Sequence, residues 1–245
     1  MNMDVDRAIS AHHPLGASTG FLSQWRGIWD ELLQRTLAIS SFAAEFAALS
    51  ESEFGGLLAF LRNGPHLPFT YLSVHAPVKG REASDHTLVE WLRDLPPTVE
   101  TIVIHPDTLA VLEAYRPLGR RLVLENMDLR KSSGRTADEL ATVFEQLPEA
   151  GFCFDIAHAW SIDPTMRVAN ELLDRFGDRL RQVHLSSLLD GKHVPVLADH
   201  ETAFLPVLER CLDVPWILEA EMPTRWADAA WARRVASRHH YDSVA

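Results

Sequence analysis

The sequence predicts a single (β/α)8 barrel spanning residues 1–245, and three observations predict it. The length, 245 residues, lies close to the ~250 typical of that fold. Short apolar runs centred near residues 9, 38, 73, 103, 123, 153, 183 and 217 alternate with helical patterns, as βαβ units in a parallel sheet require. Six of these runs end on a residue able to bind a metal: Tyr71-Leu-Ser-Val-His75, Thr101-Ile-Val-Ile-His105, Arg121-Leu-Val-Leu-Glu125, Gly151-Phe-Cys-Phe-Asp155, Arg181-Gln-Val-His184 and Val214-Pro-Trp-Ile-Leu-Glu219. A polar residue at the C-terminal end of each strand is how a barrel of this class assembles its active site.

Taken in order, the first two strands are assigned to Ala8-Ile9-Ser10-Ala11 and Leu37-Ala38-Ile39-Ser40, both rich in small residues. Trp25 and Trp29, four apart, belong to the first helix and pack on the barrel exterior. A helical pattern runs from Ser50 to Leu61, and Pro96-Pro97 marks a loop before the fourth strand. Thr136 and Glu139 have capping-box spacing ahead of a helix that reaches Leu147. Gly177, just after Arg175-Phe176, ends another helix, with the arginine suitably near the C-terminal end. The last helical pattern covers Thr224 to Arg238. No Gly-rich phosphate fingerprint follows the first strand, which argues against dinucleotide binding.

Composition narrows the class. Hydrophobic residues make up 47% of the chain, enough for a full core, yet no apolar run is long enough to span a membrane. The acidic N-terminus, Met-Asn-Met-Asp-Val-Asp-Arg, lacks the pattern of a signal peptide, and two cysteines, Cys153 and Cys211, do not make a disulfide framework; both point to the cytoplasm. The balance of 23 basic to 34 acidic residues, a net charge of −11, argues against a nucleic-acid partner. The basic pairs Lys79 with Arg81 and Arg130 with Lys131 read as solvated loop charges. A homodimer is compatible with the chain, though no patch specifies one.

Alternation along each strand gives one consistent parity. With Glu125 inward, Val123 is inward and Leu122 and Leu124 face the helices. The same rule turns Cys153 with Asp155, Gln182 with His184, Val103 with His105, Ser73 with His75, and Ile217 with Glu219 toward the interior. The outward positions are apolar, as a helix-covered sheet demands. Glu125, Asp155 and Glu219 then meet in one barrel mouth, where carboxylates repel and lose hydration unless a cation or protons neutralise them. Mixed His and carboxylate donors suit Zn, Mn or Co better than Ca. Cys153 reads as core, not as a ligand. Lys192, Trp160 and His12 are candidates to touch a substrate at the rim.

Val103-Ile-His-Pro106, Leu124-Glu-Asn126, Phe154-Asp-Ile-Ala-His-Ala159, Val183-His-Leu185 and Leu218-Glu219 resemble the xylose isomerase-like TIM barrel superfamily, which includes sugar phosphate isomerases and epimerases and the endonuclease IV-like AP endonuclease family 2. The resemblance runs from the third strand to the end of the chain. It implies that Glu125, Asp155, His184 and Glu219 share a divalent metal. It implies further that His75 and His105 hold a second ion, and that His158 and His193, the latter in Asp190-Gly-Lys-His193, help hold a third. One to three ions of Zn, Mn, Co or Mg are thus expected.

Two chemistries compete within that superfamily. The leading expectation is isomerisation or epimerisation of a sugar or sugar phosphate, with Glu125 and Glu219 exchanging a proton beside a Lewis acid. The alternative is a zinc-dependent phosphodiesterase of the endonuclease IV kind, which the extra histidines favour. Against DNA repair stand Ala76-Pro-Val-Lys79 in place of an aromatic segment, Gly191 where an aspartate is expected two residues before His193, and Asp199-His200-Glu201 in place of Gly-x-Gly. A barrel that binds metal without catalysis is the third reading.

Overall fold

The protein is described from a computed structural model over residues 15–220 and Ala232. Ten strands are present in that range: β1 (Leu15–Ser18), β2 (Ala43–Ala47), β3 (Tyr71–His75), β4 (Thr101–Ile104), β5 (Leu122–Glu125), β6 (Gly151–Asp155), β7 (Leu180–Leu185), β8 (Ser187–Leu189), β9 (Lys192–Val194) and β10 (Trp216–Leu218). Eight of them close into a parallel barrel in the order β1-β10-β7-β6-β5-β4-β3-β2, and β8 and β9 form a separate antiparallel hairpin. The helices are α1 (Trp29–Ile39), α2 (Glu51–Asn63), α3 (Asp85–Arg93), α4 (Ala137–Gln146), α5 (Ile156–Ile162), α6 (Arg167–Phe176) and α7 (Ala198–Leu208). A 3-10 segment, Leu112–Arg121, takes the helical place between β4 and β5.

The expected alternation appears throughout. Val103, Val123 and Cys153 form a small cluster of their own inside the barrel. Leu72, Val74, Ile102, Ile104, Leu122, Leu124, Phe152 and Phe154 instead join the large core shared with the helices. Thr136 accepts from the Glu139 backbone N–H at the start of α4, and α6 stops at Phe176 just before Gly177. The expected helix over 224–238 lies outside the described residues except for Ala232, which is helical and buried.

The first two strands are not where the sequence placed them. The segment 8–11 lies outside the described residues, and the first barrel strand is Leu15–Ser18. Leu37–Ile39 forms the last turn of α1, and the second strand begins four residues later, at Ala43. Leu37-Ala-Ile carries good helix formers, whereas β1 and β2 are built from Gly, Ala, Ser, Glu and single large residues without one β-branched side chain. Packing requires those small residues: a Cβ on Gly16 would stand 2.7 Å from Ala43 Cβ and Ala43 O, so β1 and β2 approach closely only with glycine there. Trp29 is buried on α1 and stacks against Phe60 of α2, while Trp25 precedes the helix and lies under the Arg35 guanidinium.

Arg81, read from the sequence as a solvated charge, is instead a tether. Its guanidinium donates to Asp85 at 2.6 Å and to the Thr108 carbonyl. Asp85, buried at the start of α3, also accepts from Tyr115 Oη (2.6 Å) and from the backbone N–H groups of Ala110 (2.9 Å) and Val111 (2.6 Å). Burial works to raise its pKa, but the Tyr115, Arg81 and Val111 donors outweigh it and hold the carboxyl below its ordinary range. Removing this hub strands four donors, the Arg81 guanidinium among them. Asp85→Ala should therefore cost about 3–5 kcal/mol in urea unfolding; a cost under about 1 kcal/mol, the worth of a single ordinary hydrogen bond, would show that the loops after β3 and β4 are held by something else.

Candidate metal centre

The strand ends bring the polar residues to one place by local devices. Asn126, just past β5, clasps the end of β6 from both sides: its Nδ2 donates to the Asp155 carbonyl and its Oδ1 accepts from the Asp155 N–H, each at 2.8 Å. Asp155 then caps α5, its Oδ1 accepting from the His158 N–H at 2.7 Å. One helical turn thus sets His158 beside the aspartate. The hairpin β8–β9 follows β7, pairs Leu188 with His193, and turns at Asp190-Gly191, where both φ angles are positive (48° and 73°). Arg130 ties that turn to the β5 loop by donating to the Gly191 carbonyl at 2.6 Å, while it grips Asp128 through Nε (2.9 Å) and Nη2 (2.8 Å).

Three groups of donor atoms result, each within 4.8 Å of one another: His75, His105 and Glu125; Asp155, His158 and His193; and Glu125, Asp155, His184 and Glu219. Glu125 and Asp155 each belong to two groups, so the three form one continuous cluster. Glu125 lies at its heart with 1% exposure. Its Oε2 is 3.3 Å from His75 Nε2 and 3.2 Å from His105 Nε2, and its Oε1 is 3.2 Å from His184 Nδ1 and 3.3 Å from His158 Nδ1. Glu219 Oε2 is 3.3 Å from His184 Nδ1, and its side chain keeps 15% exposure.

Most of these imidazoles are anchored through one ring nitrogen, which for His158 is also the one facing Glu125. His75 Nδ1 lies 2.9 Å from the Ala76 carbonyl and His158 Nδ1 lies 2.8 Å from the Asn126 carbonyl, which directs each Nε2 lone pair away from the anchor. Ser186 Oγ meets His193 Nδ1 at 2.7 Å. His184 Nε2 meets Glu45 Oε2 at 3.0 Å.

A cation fits this donor set. Glu45, Glu125, Asp155 and Glu219 converge, and the groups that face Glu45, Glu125 and Glu219 are imidazoles and neutral donors. Burial, followed by the neighbouring Glu125 and Glu219 charges, pushes the Asp155 carboxyl well above its usual range, although His193 and His184 oppose. Asp155 Oδ2 is buried with no hydrogen-bond partner; His158 Nδ1 stands 3.6 Å from it and is turned to the Asn126 carbonyl. Burial also works against ionised Glu125 and Glu219, but His184 and the other histidines hold Glu125 well below its usual range and Glu219 at about 2. Burial opposes charge on His184, and the surrounding anionic groups nonetheless raise it well above its ordinary value. Protons on His184 and Asp155 thus occupy the electrostatic place that a divalent ion would take.

Other expected residues fall less centrally. Lys192 is exposed on β9. Trp160 lies on α5 and packs on His200 (ring centroids 4.5 Å) and Phe204 (5.7 Å), behind the hairpin. His12 lies outside the described residues. Cys153 is buried and free. Arg130 and Lys131 are not freely solvated: Lys131 Nζ reaches Asp107 at 3.1 Å, next to His105. The sequence reading missed Glu45, Asp107 and Asp128. Glu45 was detectable as the lone charge in Ala43-Ala-Glu-Phe-Ala47, but only once that run is recognised as a strand.

A closed parallel barrel with its polar residues gathered at the C-terminal strand ends defines the class: a (β/α)8 barrel with a candidate metal centre. The chain belongs to the xylose isomerase-like TIM barrel family, whose profile matches residues 107–237. Solved structures of the same fold include a D-tagatose 3-epimerase-like protein (18% identity, 95% of this chain and 100% of that one, TM-score 0.61). They also include D-psicose 3-epimerase from Clostridium cellulolyticum with D-tagatose (14%, 94% and 98%, TM-score 0.57). Endonuclease IV from Thermus thermophilus is similar at 23% identity over 86% of this chain and 94% of that one, with a TM-score of 0.52. No curated protein matches the chain significantly. Among the described residues no helix is long and apolar enough to cross a membrane.

Proposed function

We propose that this chain is a divalent-metal-dependent hydrolase of small phosphate esters that holds more than one ion. The observation that carries this reading is the enclosure of Glu125. Both of its oxygens face imidazoles, two on each side, and it joins two of the three donor groups. A proton carrier must reach the substrate within hydrogen-bond distance. A carboxylate at 1% exposure among four histidines is better placed to bridge two ions than to shuttle a proton. His75, His105 and Glu125 would hold one ion, Glu125, Asp155, His184 and Glu219 a second, and Asp155, His158 and His193 a third.

Ions bound there would supply Lewis-acid polarisation and a nucleophile at neutral pH. The chain's own residues do the rest. Glu219, the more exposed of the two glutamates, can take a proton from an attacking water as its oxygen bonds to phosphorus. His193, held by Ser186 through Nδ1, stays with the third donor group, and the leaving ester oxygen takes its proton from water at the open mouth as the P–O bond breaks. Lys131, beside His105, is paired with Asp107 at 3.1 Å, so the bound ions would supply the positive charge for an anionic substrate. The net charge of −11 favours a small ester over a long polyanion.

The second reading, sugar isomerisation or epimerisation with Glu125 and Glu219 as the proton pair, has one observation in its favour: Glu219 keeps 15% exposure at the barrel mouth. It requires Glu125 to leave its histidine cage. The deciding experiment is metal content by plasma mass spectrometry on protein purified without chelator, paired with turnover of phosphate esters and of ketohexoses. Two or three ions with phosphate-ester hydrolysis supports the proposal; one ion with ketohexose turnover replaces it with the isomerase. His75→Ala combined with His105→Ala should lower the count by one ion and leave the others. An unchanged count would remove these histidines from the ligand set.

A further inference from the structure

We propose that Glu45 is a positioning residue that fixes the tautomer of His184 and so aims its Nδ1 lone pair into the candidate metal centre. This rests on the reading of His184 as a ligand, and none of the three donor groups includes Glu45. Glu45 stands on β2 with no exposure at all. In the closed order β1 and β10 lie between β2 and β7, so its side chain reaches across the interior to His184. A fully buried carboxylate is costly unless it is satisfied, and all the partners of Glu45 gather on Oε2, its Oε1 having none. Its Oε2 collects three groups: His184 Nε2 at 3.0 Å, Gln182 Nε2 at 2.7 Å and Ser73 Oγ at 3.3 Å.

The Gln182 amide cannot take the role of acceptor for His184. Tyr71 Oη donates to Gln182 Oε1 at 2.9 Å, and this turns the amide so that its NH2 faces Glu45. The amide nitrogen and His184 Nε2 lie within hydrogen-bond distance of each other at 2.8 Å, and both lie within 3.0 Å of Glu45 Oε2, the carboxylate oxygen between them. In the neutral ring of His184, which is the form that ligates, Glu45 Oε2 is the acceptor that keeps the one remaining proton on Nε2. Its Nδ1, 3.2 Å from Glu125 Oε1 and 3.3 Å from Glu219 Oε2, is left as a lone pair toward the centre. With the opposite tautomer Nδ1 would carry a hydrogen and could not ligate. Carboxylate partners of metal-ligating histidines do this work from behind the ligand, and their loss costs about 10–100-fold in metal affinity.

Two measurements test it. In chelator-treated wild-type protein above the imidazole titration range, 15N–1H correlation spectra, with His184 assigned by its loss in His184→Asn, should show the proton on Nε2. Zinc titration against a chromophoric chelator should show one ion bound about 10–100-fold more weakly in Glu45→Gln, with the affinity of the remaining ions and the near-ultraviolet circular dichroism unchanged. Glu45→Asp serves if Glu45→Gln does not fold. A proton on Nδ1 in the wild type, or equal zinc affinity in the variant, overturns the assignment. Absence of zinc binding in the wild type overturns the metal reading instead, and the tautomer still reports on Glu45.

Discussion

Glu125→Gln should lose turnover and more than one equivalent of bound metal in a single step, whereas Glu219→Gln should lose turnover with a smaller loss of metal. The difference follows from position. Glu125 contributes to two donor groups and touches four histidines, so an amide there removes a charge that two ions would share and puts an N–H among the imidazole nitrogens around it. Glu219 contributes to one group and is the residue assigned to proton transfer. Loss of a general base costs roughly 10²–10⁴-fold, and Glu219→Gln should fall in that range. Metal analysis and kcat/KM on phosphate esters, measured on both variants, separate the roles. If Glu125→Gln keeps the full metal complement and hydrolysis, Glu125 is not a bridge and the multi-ion proposal fails. If Glu125→Gln keeps the metal but abolishes ketohexose turnover, its carboxylate is a proton carrier after all.

The part of this site that is legible in the sequence is the part carried by strands with apolar outward faces. In β3 through β7 and in β10, alternation of large apolar and polar residues sets one parity, and that parity turns His75, Glu125, Asp155 and His184 into the same mouth. His158 is legible through the Asp155-x-x-His158 spacing of the family resemblance, and the structure supplies the reason, a cap that places it one turn beyond Asp155. The first two strands carry no such signal. Leu-Gly-Ala-Ser and Ala-Ala-Glu-Phe-Ala are suited to close approach, not rich in β formers, so a better-looking run in α1 took the place of β2. Losing β2 meant losing Glu45, whose partner is 139 residues away in the chain. Arg81 and Arg130 show the same limit. Whether a loop arginine is solvated or tethered depends on which carboxylate the fold brings beside it, and here Asp85 and Asp128 do so.

Thermal stability should depend on pH in opposite ways with and without metal. In metal-free protein the raised values of His75 and His184 mean that their protonated forms favour folding. That stabilisation is fully present below the ordinary histidine value of 6.5 and is lost as pH rises through the folded values. Asp155 adds in the same direction, because its carboxyl is held protonated in the folded chain to well above 3.8. The lowered values of Glu125 and Glu219 act at the other end: their stabilisation is present above 4.5 and is lost as pH falls, for Glu219 toward about 2. Burial keeps His105 neutral, which adds to the loss on the acid side. Each tenfold difference in proton affinity between folded and unfolded chains is worth about 1.4 kcal/mol, or roughly 3–6 °C in Tm at this chain length. Chelator-treated protein should therefore be most stable between about pH 4.5 and 6.5 and should melt several degrees lower at about pH 8.5. Metal needs the same donors without their protons, so reconstituted protein should hold its Tm at about pH 8.5 and lose it on the acid side. The gap between the two melting curves should widen as pH rises. A metal-free Tm that stays level or climbs between about pH 6.5 and 8.5 would mean that the cluster does not store protons in place of a cation, and the electrostatic case for the metal centre would lose its footing.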